Sequence, residues 1–173
     1  LFEFEMRGGI DKLVELEQDL LEYLGYSRDK FIIDTYNNLL TRFNTDELDH
    51  DHEMRLYKEN TSTFFISHFP ESTSPFWNMK RNTDGTSNKV DVILSGHETI
   101  GSAERETNKE KMLETFSTIM NGSYRNKLYE LFGKERTDKE LNEYLNFDFF
   151  ERCGGGIGVT RLIRSMKKEN LIN

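Results

Sequence analysis

Cysteine is nearly absent. Cys153 is the only one in 173 residues, so no internal disulfide framework can form, which accords with a reducing compartment. Proline is also scarce, and Pro70 and Pro75 bracket a single loop. No apolar run approaches bilayer-spanning length and no secretory leader is visible, so the sequence predicts no membrane partner and a cytoplasmic location. Positive charge is in deficit, with 23 Lys and Arg against 31 Asp and Glu and a net charge of −8. Non-specific nucleic-acid binding is therefore disfavoured, and a specific RNA partner requires a local patch or further segments. Internal repeats and low-complexity tracts are missing. The length suits one domain with a real core, residues 1–173. Because the chain opens at Leu1 directly in a strand-like run, it reads as a fragment of a larger protein.

The most informative stretch is Phe149 to Arg164. It opens as an apolar strand, runs into glycines and ends as a basic amphipathic helix. Gly154, Gly156 and Gly158 fall on alternate positions, which share one face of an extended strand. A face without side chains lets a flat group lie on the backbone. Arg161 then falls in the first turn of the helix, where its guanidinium can stack on a base or reach a phosphate. A P-loop is excluded, because Val159-Thr160-Arg161 follows Gly158 where that motif needs Lys and Ser or Thr. The dinucleotide fingerprint fails on the spacing of its third glycine.

Leu1 to Met6 alternates apolar and acidic residues, the pattern of a half-buried strand. Ile10, Leu13, Val14, Leu20, Leu21 and Leu24 form a helical stripe that ends at Gly25, with Leu16 at its edge and Glu17 interrupting it. Residues 27–59 read as helical in pieces, with Phe31, Ile32, Ile33, Tyr36, Leu39 and Leu40 on an apolar side. Asp49-His50-Asp51-His52-Glu53 reads as a solvated acidic turn, because zinc needs further ligands at defined spacing and none is evident. Ser62 to Phe69 predicts a strand, and Phe76-Trp77-Asn78-Met79 a short one.

Val90 to Leu94, the turn Ser95-Gly96 and a strand from His97 predict a hairpin that pairs Ile93 with Glu98. Asp91 is then a diagonal neighbour of Glu98 on the same face. Two carboxylates this close repel unless a cation lies between them, and magnesium takes one or two carboxylates with phosphates and water completing its shell. Arg105 follows Glu98 by seven positions, an odd offset that puts the two on opposite faces of a regular strand. If both serve one pocket, a bulge must intervene, and Gly101-Ser102 is the expected place. Further helices are predicted at Asn108–Met120, Tyr124–Phe132 and Thr137–Leu145, the last with a Thr137/Glu140 capping box. They are expected to cover one face of the sheet.

Three of these marks, in order, resemble the catalytic core of the class II aminoacyl-tRNA synthetases of the asparaginyl and aspartyl kind. Phe2-Glu3-Phe4-Glu5-Met6 is similar to the second strand of motif 2. Asp91, Glu98 and Arg105 match an Asp, Glu and Arg of that family, and Gly154 to Arg161 resembles motif 3. The resemblance implies an α+β fold, an antiparallel sheet flanked by helices, spanning the second strand of motif 2 to motif 3. It implies ATP bound by Asp91, Glu98, Gly154, Gly156, Gly158 and Arg161, Mg2+ held by Asp91 and Glu98, and Arg161 as the catalytic arginine. Glu3 would bind the amino acid's ammonium group and Arg105 its side chain. The serine that assists the metal in the aspartyl enzymes corresponds to Gly101 here, as it does in the asparaginyl ones. The implied activity is an ATP-dependent ligase that activates asparagine or aspartate and transfers it to tRNA, as a homodimer in the complete protein. An ammonia-dependent asparagine synthetase resembles the same segments, and a non-catalytic paralogue is the third reading.

Overall fold

The computed structural model describes residues 1–59 and 61–173. Among them a six-stranded sheet runs in the order β1-β6-β5-β4-β3-β2. Its strands are β1 (Phe2–Arg7), β2 (Ile32–Thr35), β3 (Thr63–Pro70), β4 (Thr86–Leu94), β5 (His97–Glu104) and β6 (Arg152–Ile157). All neighbours are antiparallel except β2, which runs parallel to β3 at one edge, so the α+β class holds and the sheet is mixed. Strand β2 lies where a helical face was expected. Ile32 and Ile33 are β-branched and extend beside Phe64 and Phe65 before the helix begins at Tyr36.

Two helices pack behind the sheet, α1 (Ile10–Tyr23) and α7 (Val159–Lys168). Leu21 and Met166 join Phe65, Val90, Val92, Leu94, Ile100 and Ile157 in the larger core. Helix α1 has no side-chain cap of its own. Instead the Ile10 N–H donates to Oε2 of Glu104 at 3.1 Å, and Lys80 and Asn88 also bond that buried carboxylate. Two helices cover the front over β3 and β4, α2 (Tyr36–Phe43) and α3 (His50–Glu59), through Tyr36, Leu39, Leu56, Phe64, Ile66, Phe69 and Ile93. Among the described residues α3 reaches the start of β5 at Glu98, while the front of β1, β6 and the rest of β5 opens on the cavity lined by Glu3 and Arg105.

The helices α4 (Lys109–Thr118), α5 (Ser123–Phe132) and α6 (Lys134–Leu145) do not cover the sheet as expected. They gather around Trp77, whose ring meets Phe116 and Tyr144 edge-on, with Phe76 and Tyr124 beside it. Aromatic edge-to-face packing thus builds a separate cluster. Phe76 to Met79 is accordingly a turn with one bridge, Met79 to Arg105, and not a strand. Thr137 is not a cap either: α6 starts three residues earlier, and the Thr137 hydroxyl bonds back to the Gly133 carbonyl.

Candidate active site

The hairpin forms as its turn residues dictate. Ser95 and Gly96 both take positive φ, and Ile93 pairs with Glu98. The register then shifts, because Val92 pairs with Ile100 and leaves Thr99 as the extra residue. The expected bulge is therefore present but lies at Thr99, not at Gly101-Ser102. Thr99 is buried, and its carbonyl accepts the Gly158 N–H at 2.8 Å, so the start of α7 holds the irregularity. One inserted residue reverses the parity of the strand, and Gly101, Ala103 and Arg105 come to the face that carries Glu98.

Pairing across the sheet aligns Glu3, Gly156, Gly101 and Asp91 in one row. The next row is Glu5, Gly154, Ala103 and Lys89. All of them face front, since directly paired residues share a side. A Cβ placed on Gly101 would lie 3.1 Å from Oε1 of Glu98 and 3.6 Å from Oδ1 of Asp91. Both carboxylates thus reach into the same small volume.

Asp91 is buried, and its Oδ2 is bonded by the Lys89 ammonium at 2.5 Å. Its Oδ1 is also buried and has no hydrogen-bond partner among the described residues. Burial raises the Asp91 carboxyl to about 6; Lys89 opposes this, and the charges of Glu98 and Glu53 add to it. An unpaired buried oxygen facing a second carboxylate suits a divalent cation. No cluster of three or more potential ligands among the described residues can hold a metal alone. The donor set fits an ion that brings phosphate and water ligands with it.

Asp91 and Glu98 line a cavity of about 230 Å3 with Lys89, Tyr36, Phe69 and Glu53. Sequence reasoning missed Lys89 and Glu53. Lys89 was legible, being two positions before Asp91 and therefore on its face. Glu53 was not, because α3 brings it 45 positions along the chain to the Glu98 N–H, at 3.4 Å. The acidic run around it starts α3, with the Asp49 carboxylate accepting the His52 N–H, and is not a free turn.

A second cavity, of about 410 Å3, is lined by Glu3, Phe4, Glu5, Gly101, Arg105, Gly155 and Gly156. Glu3 is exposed and has no hydrogen bond or ion pair among the described residues. Arg105 is held by Glu5, with Nε and Nη2 at 3.0 and 2.8 Å from Oε1, and by the Gly154 carbonyl at 3.2 Å. Glu5 was missed as a site residue, although its alternation with Glu3 puts both on one face. The glycine shelf is narrower than the spacing implied. A Cβ on Gly154 would lie 2.3 Å from the Phe4 carbonyl oxygen, so glycine there is a packing requirement. Gly156 is covered only by the Leu1 side chain. Gly158 has left the strand and stands before α7, so it does not share the face of the other two.

Arg161 donates from Nη1 to the Glu98 carbonyl at 2.7 Å, which ties α7 to the hairpin. It lines a third cavity, of about 270 Å3, with Leu94, Ser95, His97, Arg164, Ser165 and Lys168. Burial lowers the His97 imidazole from its usual value, and the charges of His50, Lys168, Arg161 and Arg164 lower it further. The structure thus brings Glu3, Arg105 and Gly156 into one cavity and Asp91 with Glu98 into the next. Arg161 touches the Glu98 backbone from the far side.

This fold and its ordered motifs define a class. The family described as tRNA synthetases class II (D, K and N) matches residues 4–173, and the chain belongs to it. The letters denote aspartate, lysine and asparagine. Within that class the fold is similar to an asparaginyl-tRNA synthetase from Pyrococcus horikoshii, with a TM-score of 0.73 and 19% identity over 96% of this chain and 45% of that one. It is also similar to the Entamoeba histolytica asparaginyl-tRNA synthetase in complex with asparaginyl-adenylate, at 0.76 and 16% over 96% and 44%. The aspartyl-tRNA synthetase of Entamoeba histolytica matches at 0.71 and 18% over 94% and 39%. The chain spans less than half the length of these solved structures. No curated protein matches it.

Proposed function

We propose that the protein activates an amino acid with ATP and passes it to tRNA, and that the amino acid is asparagine. Residues 1–173 form the C-terminal part of the catalytic domain, from the second strand of motif 2 to motif 3. The observation that carries this reading is the meeting of Asp91 Oδ1 and Glu98 Oε1 over Gly101, in one row with Gly156 and Glu3. Asp91 and Glu98 hold Mg2+, which when bound neutralises the phosphate charge that moves during the reaction. Gly156 presents backbone to the nucleotide, beside Gly154, whose lack of a side chain lets β1 approach β6. Arg161 supplies positive charge to ATP from the hairpin side, and Gly158 sets the start of its helix.

Glu3 accepts the amino acid's ammonium group in the open cavity, and Arg105 donates to its side-chain oxygen. The substrate carboxylate attacks the α-phosphate. A new O–P bond forms, the bond to the bridging oxygen breaks, and pyrophosphate leaves with its electron pair. No side chain of the protein is a nucleophile, and positioning supplies most of the acceleration. The Glu5–Arg105 pair favours asparagine. Arg105 already carries one carboxylate, and a second from aspartate would stand beside Glu5 and Glu3, whereas a neutral amide adds no charge. A homodimer in the cytoplasm and a tRNA acceptor belong to the same reading. Among the described residues no helix is long and apolar enough to cross a membrane.

The test is amino-acid-dependent ATP–pyrophosphate exchange on the complete protein with asparagine, aspartate and lysine. Exchange with asparagine is expected, and Glu98→Gln should lower it by about 10²-fold or more. Exchange with aspartate alone would replace asparagine by aspartate, with tRNA or ammonia as acceptor. Exchange with none of the three overturns the reading.

A further inference from the structure

Among the described residues, the cavity that holds Asp91 and Glu98 is lined by the acids Glu47, Glu53, Asp91 and Glu98 and by a single lysine, Lys89, with no arginine. Lys89 stands two positions before Asp91 on β4, and its ammonium donates to Asp91 Oδ2 at 2.5 Å. The ring of Phe69, from β3, lies 3.9 Å from the same nitrogen. Tyr36 packs on Phe69 in turn, with ring centroids 4.9 Å apart. The ammonium is thus fixed between a carboxylate and an aromatic face, and the Lys89 side chain is only 24% exposed.

Lys89 acts on the acid pair in two ways. It takes one oxygen of Asp91 and leaves Oδ1, the oxygen near Glu98 Oε1 over Gly101, without a partner among the described residues. It also offsets one of the two negative charges of the pair at short range, in a partly buried place where screening is weak. Support of the fold does not account for this contact. Strand β4 is already paired on both edges, with β3 and β5, and an ion pair between two residues of one strand ties no further element to it.

We propose that Lys89 is a positioning residue that makes loading of the divalent cation depend on the nucleotide. The inference rests on the reading of Asp91 and Glu98 as the pair that holds the metal. With Lys89 in place the pair offers too little net negative charge to draw a hydrated dication strongly out of water. Phosphate charge brought by ATP offsets the ammonium, so that the ion and the nucleotide bind better together than either does alone. Such coupling is reciprocal, and it is set by a charge that neither ligand carries.

Titration of the complete protein with Mn2+, read from the electron paramagnetic signal of the free ion, with and without α,β-methylene-ATP, tests this. In the parent the analogue should tighten Mn2+ binding by about 10²-fold. Lys89→Gln keeps a donor for Asp91 and removes the charge. Bare Mn2+ should then bind about tenfold more tightly, and the effect of the analogue should shrink by about the same factor. Lys89→Met should behave alike, so either neutral variant suffices if the other does not fold, and Lys89→Arg should keep the parent's behaviour. A lysine that only props Asp91 predicts the opposite sign, because its loss would loosen the site and weaken binding of the bare ion. Weaker bare-ion binding in the neutral variants, or an unchanged response to the analogue, overturns the proposal alone, provided that Glu98→Gln abolishes Mn2+ binding. Binding that survives Glu98→Gln, or no binding in the parent even with the analogue, overturns the metal reading and the inference together.

Discussion

Gly101 is the residue on which the two acids depend. Its φ is not in the left-handed region, so alanine can adopt the same backbone, yet a methyl there would stand between Asp91 Oδ1 and Glu98 Oε1. Gly101→Ala should therefore fold with a stability change of about 1 kcal/mol or less, and lose about 10²-fold in ATP–pyrophosphate exchange. A denaturant melt and the exchange assay on one preparation separate the two effects, and unimpaired exchange would remove the carboxylate pair from the site. Gly154 is glycine for a different reason, because the Phe4 carbonyl oxygen occupies the place of its Cβ. The alternate spacing of the glycines was visible in the chain, but which of them is a shelf and which a packing necessity was not. That distinction depends on how closely β1 approaches β6.

Glu17 shows what one element imposes on another. It falls within the apolar stripe of α1 and is buried beneath the sheet, with no partner for either carboxylate oxygen among the described residues. The nearby Ser102 hydroxyl donates to the Val90 carbonyl. Burial raises the Glu17 carboxyl from 4.5 to about 8, with Ser102 opposing and the Asp91 charge adding. A raised acid stabilises the fold fully below its unfolded value, and this contribution is lost as pH rises through the folded one. Between pH 4.5 and about 8 the folded chain keeps a proton that the unfolded chain has released, so stability falls by up to about 1.4 kcal/mol per pH unit. Asp91 acts with the same sign only up to about pH 6. Denaturant melts from pH 6.5 to 8 should thus show a downward slope that Glu17→Gln removes, and equal slopes in the two proteins would show that Glu17 is ionised in the fold. The sequence marked Glu17 as an interruption of the stripe. Its burial follows from α1 lying flat on β4 and β5.

At the scale of the whole molecule, the helices are divided between the faces of the sheet. α1 and α7 close the back, α2 and α3 close the front over β3, β4 and the Glu98 end of β5, and the front of β1, β6 and the rest of β5 is left to the cavity with Glu3 and Arg105. Charge is divided as well. The net value is −8, while Arg161, Arg164 and Lys168 of α7 line one pocket. Random-sequence RNA should accordingly show no mobility shift with this protein at physiological ionic strength, and a shift that disappears only in high salt would contradict that picture. By itself the chain determined the strands β1, β3, β4, β5 and β6, the two-residue turn at Ser95-Gly96 and most of the helices, and it pointed to Glu3, Asp91, Glu98, Arg105 and Gly156 as candidates while Lys89, Glu53 and Glu5 escaped it. These rest on local periodicity and turn chemistry, which neighbouring residues carry. Tertiary structure alone decided the bulge at Thr99, the parallel strand β2, the arrival of Glu53 beside Glu98, and the gathering of α4 to α6 around Trp77. Each of these depends on which distant surfaces meet, and no short-range pattern records that.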